Sequence, residues 1–333
     1  MATHRDGETG GVLLFSENSE TVGELLTLGR ELASRLHGPL IVAAIGRNAQ
    51  GLVDEGLERG ADEVLTVRAS DGNGIVPDES MATALYEAIR ASAPAVVLVG
   101  ATRTGAELAA RTAQMLQIPC ASSCVALELD DAGNLRIDRR VYGGRFVSRQ
   151  LLNMAPRMAT VPPKRFPRAE KVCESHASIR ELQVELPAPR IRTVGVNPRS
   201  HSQVDLSKAE VIISAGRGVK HMDDLKQLEQ LALLLGGVLA GSRPLTGDVD
   251  WLPVDRRIGL SGQTVKPNLY IACGISGQIE HVVGMKGART VVAINNDAKA
   301  PIHGEADYSV IADLYEVVPA LIRACQNAKR NPG

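Results

Sequence analysis

Three glycine-containing segments in the second half of the chain carry residue types that could bind a ligand. The first segment, Ser214–Gly218, directly follows the aliphatic run 211–213 and places Arg217 between two glycines. Glycine lets the backbone approach a ligand closely, and the forked guanidinium of arginine suits phosphate. The G-x-G-x-x-G pattern is incomplete because its last position is His221. Alone, the segment is equally typical of a plain strand-to-helix turn.

The second segment, Gly274–His281, follows the aliphatic run 269–273. Ser276 and Gly277 are predicted to open a helix, and free N–H groups at a helix N-terminus bind phosphate. The pyrophosphate of a dinucleotide is the expected guest. His281 is predicted to face the same side as Gly277, one turn away. A single histidine is more often structural, but its place beside a phosphate-type turn favours a binding role.

The third candidate combines Gly241–Arg243 with Ile258–Gly262, which place an arginine and two hydroxyls at the ends of predicted strands. Open α/β sheets bind ligands at the ends of their parallel strands. The chain has no G-x-S-x-G, H-E-x-x-H or Walker A motif and no cysteine spacing typical of metal sites. We therefore expect a ligand cradle without catalytic residues or metal ligands, as in a redox carrier whose cofactor performs the electron chemistry.

The elements that must position these segments alternate between aliphatic runs and helical stretches. This pattern predicts βαβ units and parallel sheets in both halves of the chain. Residues 122–163 instead indicate short strands joined by turns. Proline and polar residues at 186–190 and 197–203 predict a boundary. The predicted fold is α/β, with two doubly wound parallel-sheet domains at 1–195 and 196–333, the first carrying an antiparallel appendage.

The composition excludes several classes of protein. The 333 residues are 44% hydrophobic and 23% charged, with a formal net charge of −1. These values are typical of a globular protein and argue against a nucleic-acid binder. No apolar run approaches the ~18 residues of a transmembrane helix, and the first ten residues resemble no targeting signal. A cytoplasmic location with reduced cysteines is the expectation.

The ordered motifs of the second half resemble the electron transfer flavoprotein alpha subunit (FixB-like) family, most strongly between Ala209 and Ala320. The first half is similar to the family in length and element order. The matching segments are Gly216–Gly218, Gly241–Arg243, Leu269–Gly277, His281, Gly284–Lys286, Ala293–Asn295, Asp297, Ala300–Ile302, Ala306–Tyr308 and Ala312–Leu314.

The resemblance implies that one FAD is bound by the domain 196–333. It implies that the domain 1–195 has a nucleotide-hydrolase-like fold and makes subunit contacts. The implied cofactor-binding residues are Arg217, Ser242, Arg243, Ile258, Gly259, Leu260, Ser261, Ser276, Gly277, Gln278, Ile279, Glu280, His281, Asn295, Asp313 and Leu314.

Individual roles follow from the same resemblance. Arg217 is expected at the diphosphate–ribityl region, and Ser242 with Arg243 beside the flavin ring. Arg243 would favour negatively charged, reduced flavin. Ser261 is expected to donate to flavin N5, and Ser276–Glu280 to wrap the pyrophosphate and the ring edge.

The remaining implied contacts lie at the two ends of the cofactor. His281 is expected near the flavin O2 carbonyl, where a donor stabilises developing negative charge. Asn295, Asp313 and Leu314 are expected to line the adenosine end.

Two residues depart from the pattern of many family members. Leu260 stands where many members have glutamine, and Glu280 replaces another glutamine. A carboxylate close to the ring would oppose an anionic flavin and lower its potential, whereas one turned to solvent would do little. The departures leave open a single-flavin carrier or a two-FAD, electron-bifurcating subunit that oxidises NADH.

The implied partners are those of an electron carrier. The resemblance implies a heterodimer with a beta subunit that carries AMP or a second FAD. Acyl-CoA or other dehydrogenases would supply electrons, and a quinone oxidoreductase or another acceptor would receive them. A basic excess between Arg136 and Lys171 indicates a solvated face, an ion-paired subunit interface or a docking surface for an acidic partner.

Overall fold

The computed structural model describes residues 10–70, 76, 78–142, 146–174, 176–187 and 205–330. The chain divides into two compact units, Met1–Gly195 and Val196–Gly333. The predicted linker segment 197–203 lies outside the described residues, and 186–190 is described only as far as residue 187.

The first unit alternates strands and helices before it turns to strands alone. Its elements are β1 Val12–Phe15, α1 Ser19–Leu36, β2 Leu40–Ala44, α2 Ala49–Glu58, β3 Glu63–Ala69, α3 Met81–Ser92, β4 Val96–Gly100, α4 Arg103–Leu116, β5 Cys120–Ala121, β6 Cys124–Leu129, β7 Leu135–Val141, β8 Phe146–Leu152, β9 Arg157–Val161 and β10 Ser178–Val184.

The large sheet of this unit has the strand order β10-β3-β2-β1-β4-β9-β5, and all its pairings are parallel. Its central strands are aliphatic and fully buried because helices cover both faces. Leu14 of β1 joins the core cluster that includes α1, whereas Leu13 and Phe15 join the cluster that includes α3 and α4. Successive side chains of one strand thus point to opposite faces of the sheet and pack against different helical layers.

Strands β6, β7 and β8 form a separate antiparallel sheet, which is the predicted appendage. Part of the basic excess of this region is neutralised within the unit. The Arg149 Nε atom lies 2.8 Å from Asp138 Oδ1, and the Lys171 Nζ atom lies 2.6 Å from Glu58 Oε2. Arg168 pairs with the buried Glu55. These pairs account for several of the basic residues as an ion-paired surface.

The second unit repeats the α/β alternation around one parallel sheet with the order β12-β11-β13-β14-β15. Helices α5 and α7 cover one face, and α6 covers the other. The predicted doubly wound fold class is confirmed. The elements are β11 Val211–Ala215, α5 Leu225–Leu234, β12 Val238–Gly241, β13 Leu269–Cys273, α6 Ile279–Met285, β14 Thr290–Ile294, β15 Tyr308–Val310 and α7 Leu314–Arg330.

The order of the second sheet fixes where a ligand can enter. Strand β12, which follows β11 in sequence, pairs with one side of β11, and the next strand, β13, pairs with its other side. The loops after β11 and β13 therefore leave the sheet toward opposite faces and open a crevice at their carboxyl ends. Among the helices that the structure describes, none is long and apolar enough to cross a bilayer.

Candidate functional site

A cleft of about 970 Å³ lies at the carboxyl ends of the second sheet. This volume is at the upper end of the roughly 300–1,000 Å³ typical of small-molecule sites. Segments that follow all five strands contribute to it. The lining residues are Arg217, Gly218, Lys220, Ser242, Arg243, Pro244, Asp248, Ile258, Gly259, Leu260, Ser261, Gly274, Ile275, Ser276, Gln278, Glu280, His281, Ile294, Asn295, Asn296, Asp297, Ala300, Pro301, Asp313 and Leu314.

The loops after β11 and β13 touch each other through their backbones. The Gly216 amide donates to the Cys273 carbonyl at 2.9 Å, and the Gly218 amide donates to the Gly274 carbonyl at 2.9 Å. A Cβ atom on Gly218 would lie 2.7 Å from Gly274 Cα, closer than real Cβ contacts. Glycine at these positions keeps the floor of the cleft open and brings Arg217 beside the turn that follows β13.

The turn between β13 and α6 presents an uninterrupted row of donors. Within the described residues, the backbone N–H groups from Ile275 to Glu280 have no hydrogen-bond acceptor. The side-chain amide of Asn295, at the end of β14, donates to the Ile275 carbonyl at 2.8 Å and holds the turn. Such a row of free amides can bind an anion such as a diphosphate.

Gly277 has a structural task in this turn. Its φ of +85° is in the left-handed region, and a Cβ there would lie 2.2 Å from the Ile302 nitrogen. Helix α6 consequently begins at Ile279, so the prediction that Ser276 and Gly277 open the helix is wrong. Gly277 is not among the residues that line the cleft, and the helical spacing used to align it with His281 does not apply.

Two arginines reach the cleft without a carboxylate partner. Arg217 and Arg243 form no ion pair with any part of the chain that the structure describes. Arg243 follows Ser242, whose side chain is 7% exposed at the end of β12. The next residues, Pro244–Asp248, form a π-type turn, and the Arg257 guanidinium braces it by donating to Thr246 Oγ1 at 2.8 Å. The brace fixes the backbone that carries Arg243.

The segment 258–262 is docked on the first turn of α6 by backbone contacts. The Leu260 amide donates to the Glu280 carbonyl at 2.6 Å. Gly259 has a φ of +134°, and a Cβ there would lie 2.4 Å from the same carbonyl oxygen. A Cβ on Gly284 would lie 2.3 Å from the Gly259 nitrogen. This close approach brings Ser261 and Glu280 to the same wall of the cleft.

His281 is a buried ring at the cleft wall, with 7% of its surface exposed. Its Nε2 atom lies 2.8 Å from the hydroxyl of Tyr270, a fully buried residue of β13. Its Nδ1 atom forms no hydrogen bond of ordinary geometry with a described residue. Burial lowers the pKa of His281 to about 4, against a weaker effect of the Ile258 backbone that raises it. The ring is therefore neutral at pH 7.

The structure places all the predicted cofactor-binding residues in the cleft lining except Gly277 and Ile279. The sequence analysis missed several polar lining residues, namely Lys220, Asp248, Asn296 and Asp297. Asn296 and Asp297 lie in the segment that directly follows β14, and this position was the signal that could have found them. Lys220 lies five residues after β11, in the loop that carries Arg217. Asp248 had no such signal, because it belongs to the π-type turn.

The residues present fit an anionic dinucleotide with a polar planar ring. Two unpaired guanidiniums and a row of free amides suit a diphosphate. Ser242, Ser261 and His281 supply polar groups to the lining; Ser242 follows the edge strand β12, whereas Asn295 and Asp313 follow β14 and β15 toward the other edge of the sheet. The cleft lining also contains apolar surface from Ile258, Ile275, Ile294, Ala300 and Leu314, which suits the flat faces of ring systems.

Comparison with known proteins gives two family matches. Residues 16–187 match the electron transfer flavoprotein domain, and residues 205–286 match the electron transfer flavoprotein FAD-binding domain. The second match contains the loops after β11, β12 and β13, and therefore most of the cleft.

Similar proteins align over nearly the whole chain. The electron transfer flavoprotein subunit alpha of Thermoanaerobacterium thermosaccharolyticum is 34% identical over 92% of this chain and 93% of its own length. Protein FixB of Bradyrhizobium diazoefficiens is 35% identical over 90% of this chain and 83% of its own. The LctC subunit of the lactate dehydrogenase (NAD(+),ferredoxin) of Acetobacterium woodii is 33% identical over 92% and 74%.

These matches confirm the resemblance that the motifs of the second half indicated. They cover both units of the chain, and they extend from the first parallel sheet to the cleft. The chain belongs to the electron transfer flavoprotein alpha subunit family, and its second unit contains the FAD-binding domain of that family.

Proposed function

We propose that the cleft binds one FAD and that the chain is the flavin-carrying alpha subunit of a heterodimeric electron carrier. One observation carries this proposal. Two arginines without carboxylate partners among the described residues line one cleft together with the turn 275–280, inside the segment that matches the FAD-binding domain. The backbone amides of this turn are free, and four of its residues, Ile275, Ser276, Gln278 and Glu280, belong to the cleft lining. FAD supplies the ring that accepts and releases electrons, and the protein positions that ring and sets its potential.

The diphosphate would be held by Arg217 and by the amides of Ser276–Glu280. Arg217 is exposed to the cleft beside the Gly218–Gly274 contact, which keeps side chains out of the space the phosphates need. The amides are fixed by the Asn295 side chain, so binding requires little reorganisation of the turn.

The flavin ring would lie against the wall formed by Ser242, Arg243, Ser261 and His281. Arg243 holds a positive charge there and favours electron uptake, because reduction adds negative charge to the ring. The hydroxyls and the neutral His281 orient the polar edge of the ring without a further charge. Asn295, Asp313 and Leu314 would line the adenosine end.

The proposed partners follow from the family. A beta subunit with AMP or a second FAD would complete a heterodimer, with the first unit of this chain making subunit contacts. Acyl-CoA or other dehydrogenases would donate electrons, and a quinone oxidoreductase or another acceptor would take them. No residue of the cleft is proposed to perform acid–base or nucleophilic chemistry.

A second candidate function is the alpha subunit of a two-FAD, electron-bifurcating complex that oxidises NADH. The similarity to LctC of the lactate dehydrogenase (NAD(+),ferredoxin) favours it. So does Glu280, because a carboxylate in the cleft lining lowers the potential of a nearby flavin. The two candidates differ in flavin stoichiometry, which is one FAD per heterodimer for the carrier and two for the bifurcating complex.

The test is the cofactor content of the chain co-purified with its beta subunit. We expect a yellow heterodimer that releases FAD and, for the carrier, AMP in equal amount. Two FAD per heterodimer, with NADH-dependent bleaching, would select the second candidate. A colourless heterodimer that releases only adenine nucleotides would contradict both and indicate a nucleotide-binding protein on the same fold.

A further inference from the structure

Tyr270 is the one aromatic residue in the core cluster between the second sheet and α6, among the described residues. Its neighbours there include Ile212, Ala240, Ile258 and Ala272, all apolar. Phenylalanine would fill such a site equally well, and a buried hydroxyl is unfavourable unless it is hydrogen-bonded. Packing alone therefore does not explain why this residue carries a hydroxyl.

The partner of this hydroxyl is His281 at the cleft wall. The Tyr270 Oη atom lies 2.8 Å from His281 Nε2, and the two ring centroids are 6.3 Å apart. Tyr270 is fixed on a strand that pairs on both sides, with Ile212 and with Val291 opposite it. His281 lies on α6 of the same βα unit. The anchor is consequently rigid, and the contact sets the orientation of the imidazole.

The direction of this hydrogen bond follows from the groups around it. Burial raises the pKa of Tyr270 well above its usual range, so the phenol keeps its proton, and that proton needs an acceptor. The Oγ atom of the fully buried Ser214 has no hydrogen-bond partner of ordinary geometry in the described parts of the chain, so it is not the acceptor of that proton. His281 Nε2 is the recorded partner of Tyr270 Oη among the described residues, and an Nε2–H donor would leave the phenol proton buried without an acceptor, so the phenol donates to Nε2.

The protonation of the second ring nitrogen, Nδ1, follows from this direction. If Nε2 accepts a hydrogen bond in a neutral ring, the proton must be on Nδ1. Burial lowers the pKa of His281, so only one ring nitrogen carries a proton. Nδ1 has no hydrogen-bond partner among the described residues, so its N–H is available to a ligand in the cleft.

We propose that Tyr270 is a positioning residue for the cleft: its hydroxyl donates to His281 Nε2 and holds the imidazole as the neutral Nδ1–H tautomer in one orientation. This inference rests on the proposed function, because the ring it orients belongs to the wall assigned to the flavin. The cleft then receives a neutral, pre-oriented ring whose only N–H is on Nδ1, and the sole fixed positive charge of that wall is Arg243.

The protonation state of His281 can be read directly by NMR of the co-purified heterodimer carrying ¹⁵N-labelled histidine. The His281 signals are identified by their loss in His281→Gln. We expect a protonated Nδ1 and an unprotonated Nε2 in the natural protein at pH 7. In Tyr270→Phe, which keeps the ring and removes only the hydroxyl, we expect the Nε2–H tautomer to appear. Tyr308→Phe, at a residue 65% exposed, is the matched control and should change nothing.

A second readout separates positioning from simple packing. The dissociation constant for FAD should be about threefold to tenfold larger in Tyr270→Phe, which is the effect of one lost hydrogen bond.

The outcomes divide cleanly. A protonated Nε2 in the natural protein, or His281 signals unchanged by Tyr270→Phe, would overturn the proposal whether or not flavin is bound. An Nδ1–H ring that responds to Tyr270→Phe in a protein that takes up no FAD would uphold the Tyr270–His281 relationship and refute the proposed function. FAD bound beside an Nε2–H ring would refute the proposal for Tyr270 and His281 and uphold the proposed function.

Discussion

Gly218 and Gly274 join the ends of β11 and β13 backbone to backbone. The Gly218 amide donates to the Gly274 carbonyl at 2.9 Å, and neither residue has room for a side chain facing the other. The contact lies at the point where the strand order of the second sheet reverses. It therefore fixes the distance between the two loops that carry Arg217 and the row of free amides.

Gly274→Ala is expected to destabilise the second unit and weaken FAD binding. Gly274 has a φ of +64°, and a Cβ there would lie 2.8 Å from Gly218 Cα and 2.9 Å from Leu314 Cδ2. Strained backbone and close contact together should cost about 1–3 kcal/mol of the free energy of unfolding. Urea unfolding and FAD titration measure the two effects.

Two other glycines serve as controls for this change. Gly236 has a φ of +69° with open space around it, and Gly304 has open space and no positive φ. Gly236→Ala should show the backbone strain alone, and Gly304→Ala neither effect. Equal stability and FAD affinity in all three variants would show that the Gly218–Gly274 contact is unimportant.

Arg243→Gln is expected to lower both the affinity for FAD and the midpoint potential of the bound flavin. The guanidinium has no carboxylate partner in the described residues, so its charge is available to the cleft. Loss of a charge-assisted hydrogen bond should weaken FAD binding roughly tenfold or more. Dithionite titration reports the potential. Arg289→Gln, at an exposed arginine outside the cleft lining, is the control, and an identical shift in both variants would refute a local role.

Glu280→Gln is expected to raise the midpoint potential. The Glu280 backbone is tied to Leu260, and its exposed side chain belongs to the cleft lining. A unit charge about 4 Å away in water contributes about 1 kcal/mol, so the shift should be on the order of tens of millivolts. Glu305→Gln, at a carboxylate near Lys286, is the matched control. No change at Glu280 would mean that its carboxylate points into solvent and does not tune the flavin.

The buried His281 predicts a specific dependence of stability on pH. Its pKa is lowered from 6.5 to about 4, so between these values the unfolded chain binds a proton that the folded chain does not. The stabilisation is therefore complete above pH 6.5 and is lost as the pH falls toward 4. It amounts to about 3 kcal/mol.

Unfolding of the natural chain and of His281→Gln over this pH range isolates that contribution. Carboxylates contribute equally to both proteins and cancel in the difference. The stability of the natural chain should fall more steeply than that of the variant. Parallel curves would show that the imidazole is accessible to protons in the folded protein.

Much of the fold could be predicted because buried parallel strands are continuous aliphatic runs. Strands such as β4 and β13 have no polar residue in their interior, and helices separate them at regular intervals. The strands that the sequence analysis missed have weaker signals. β15 has only three residues, and β10, Ser178–Val184, is largely exposed at the sheet edge. Its parallel pairing with β3 joins residues more than 100 positions apart, which no local pattern reveals.

The site could be predicted where its residues directly follow strands in the sequence. It could not be predicted where the role of a residue depends on contacts with distant parts of the chain. Arg217 and Arg243 stand directly after strands, and the strand ends form the cleft. Gly277 was predicted as a ligand contact because it is a glycine in a phosphate-type turn; the sequence did not reveal that its backbone also passes close to Ile302. The role of Tyr270 was invisible because it appears in sequence as one more apolar residue of a buried strand.

The location of the cofactor is the most direct test of the central claim. A crystal structure of the heterodimer, with its beta subunit and natural cofactors, measures it. We predict FAD density in the cleft of the second unit, with phosphates at the turn 275–280 and the flavin ring in contact with Arg243 and Ser261. A cleft without flavin, in a heterodimer whose only FAD lies elsewhere, would contradict the account.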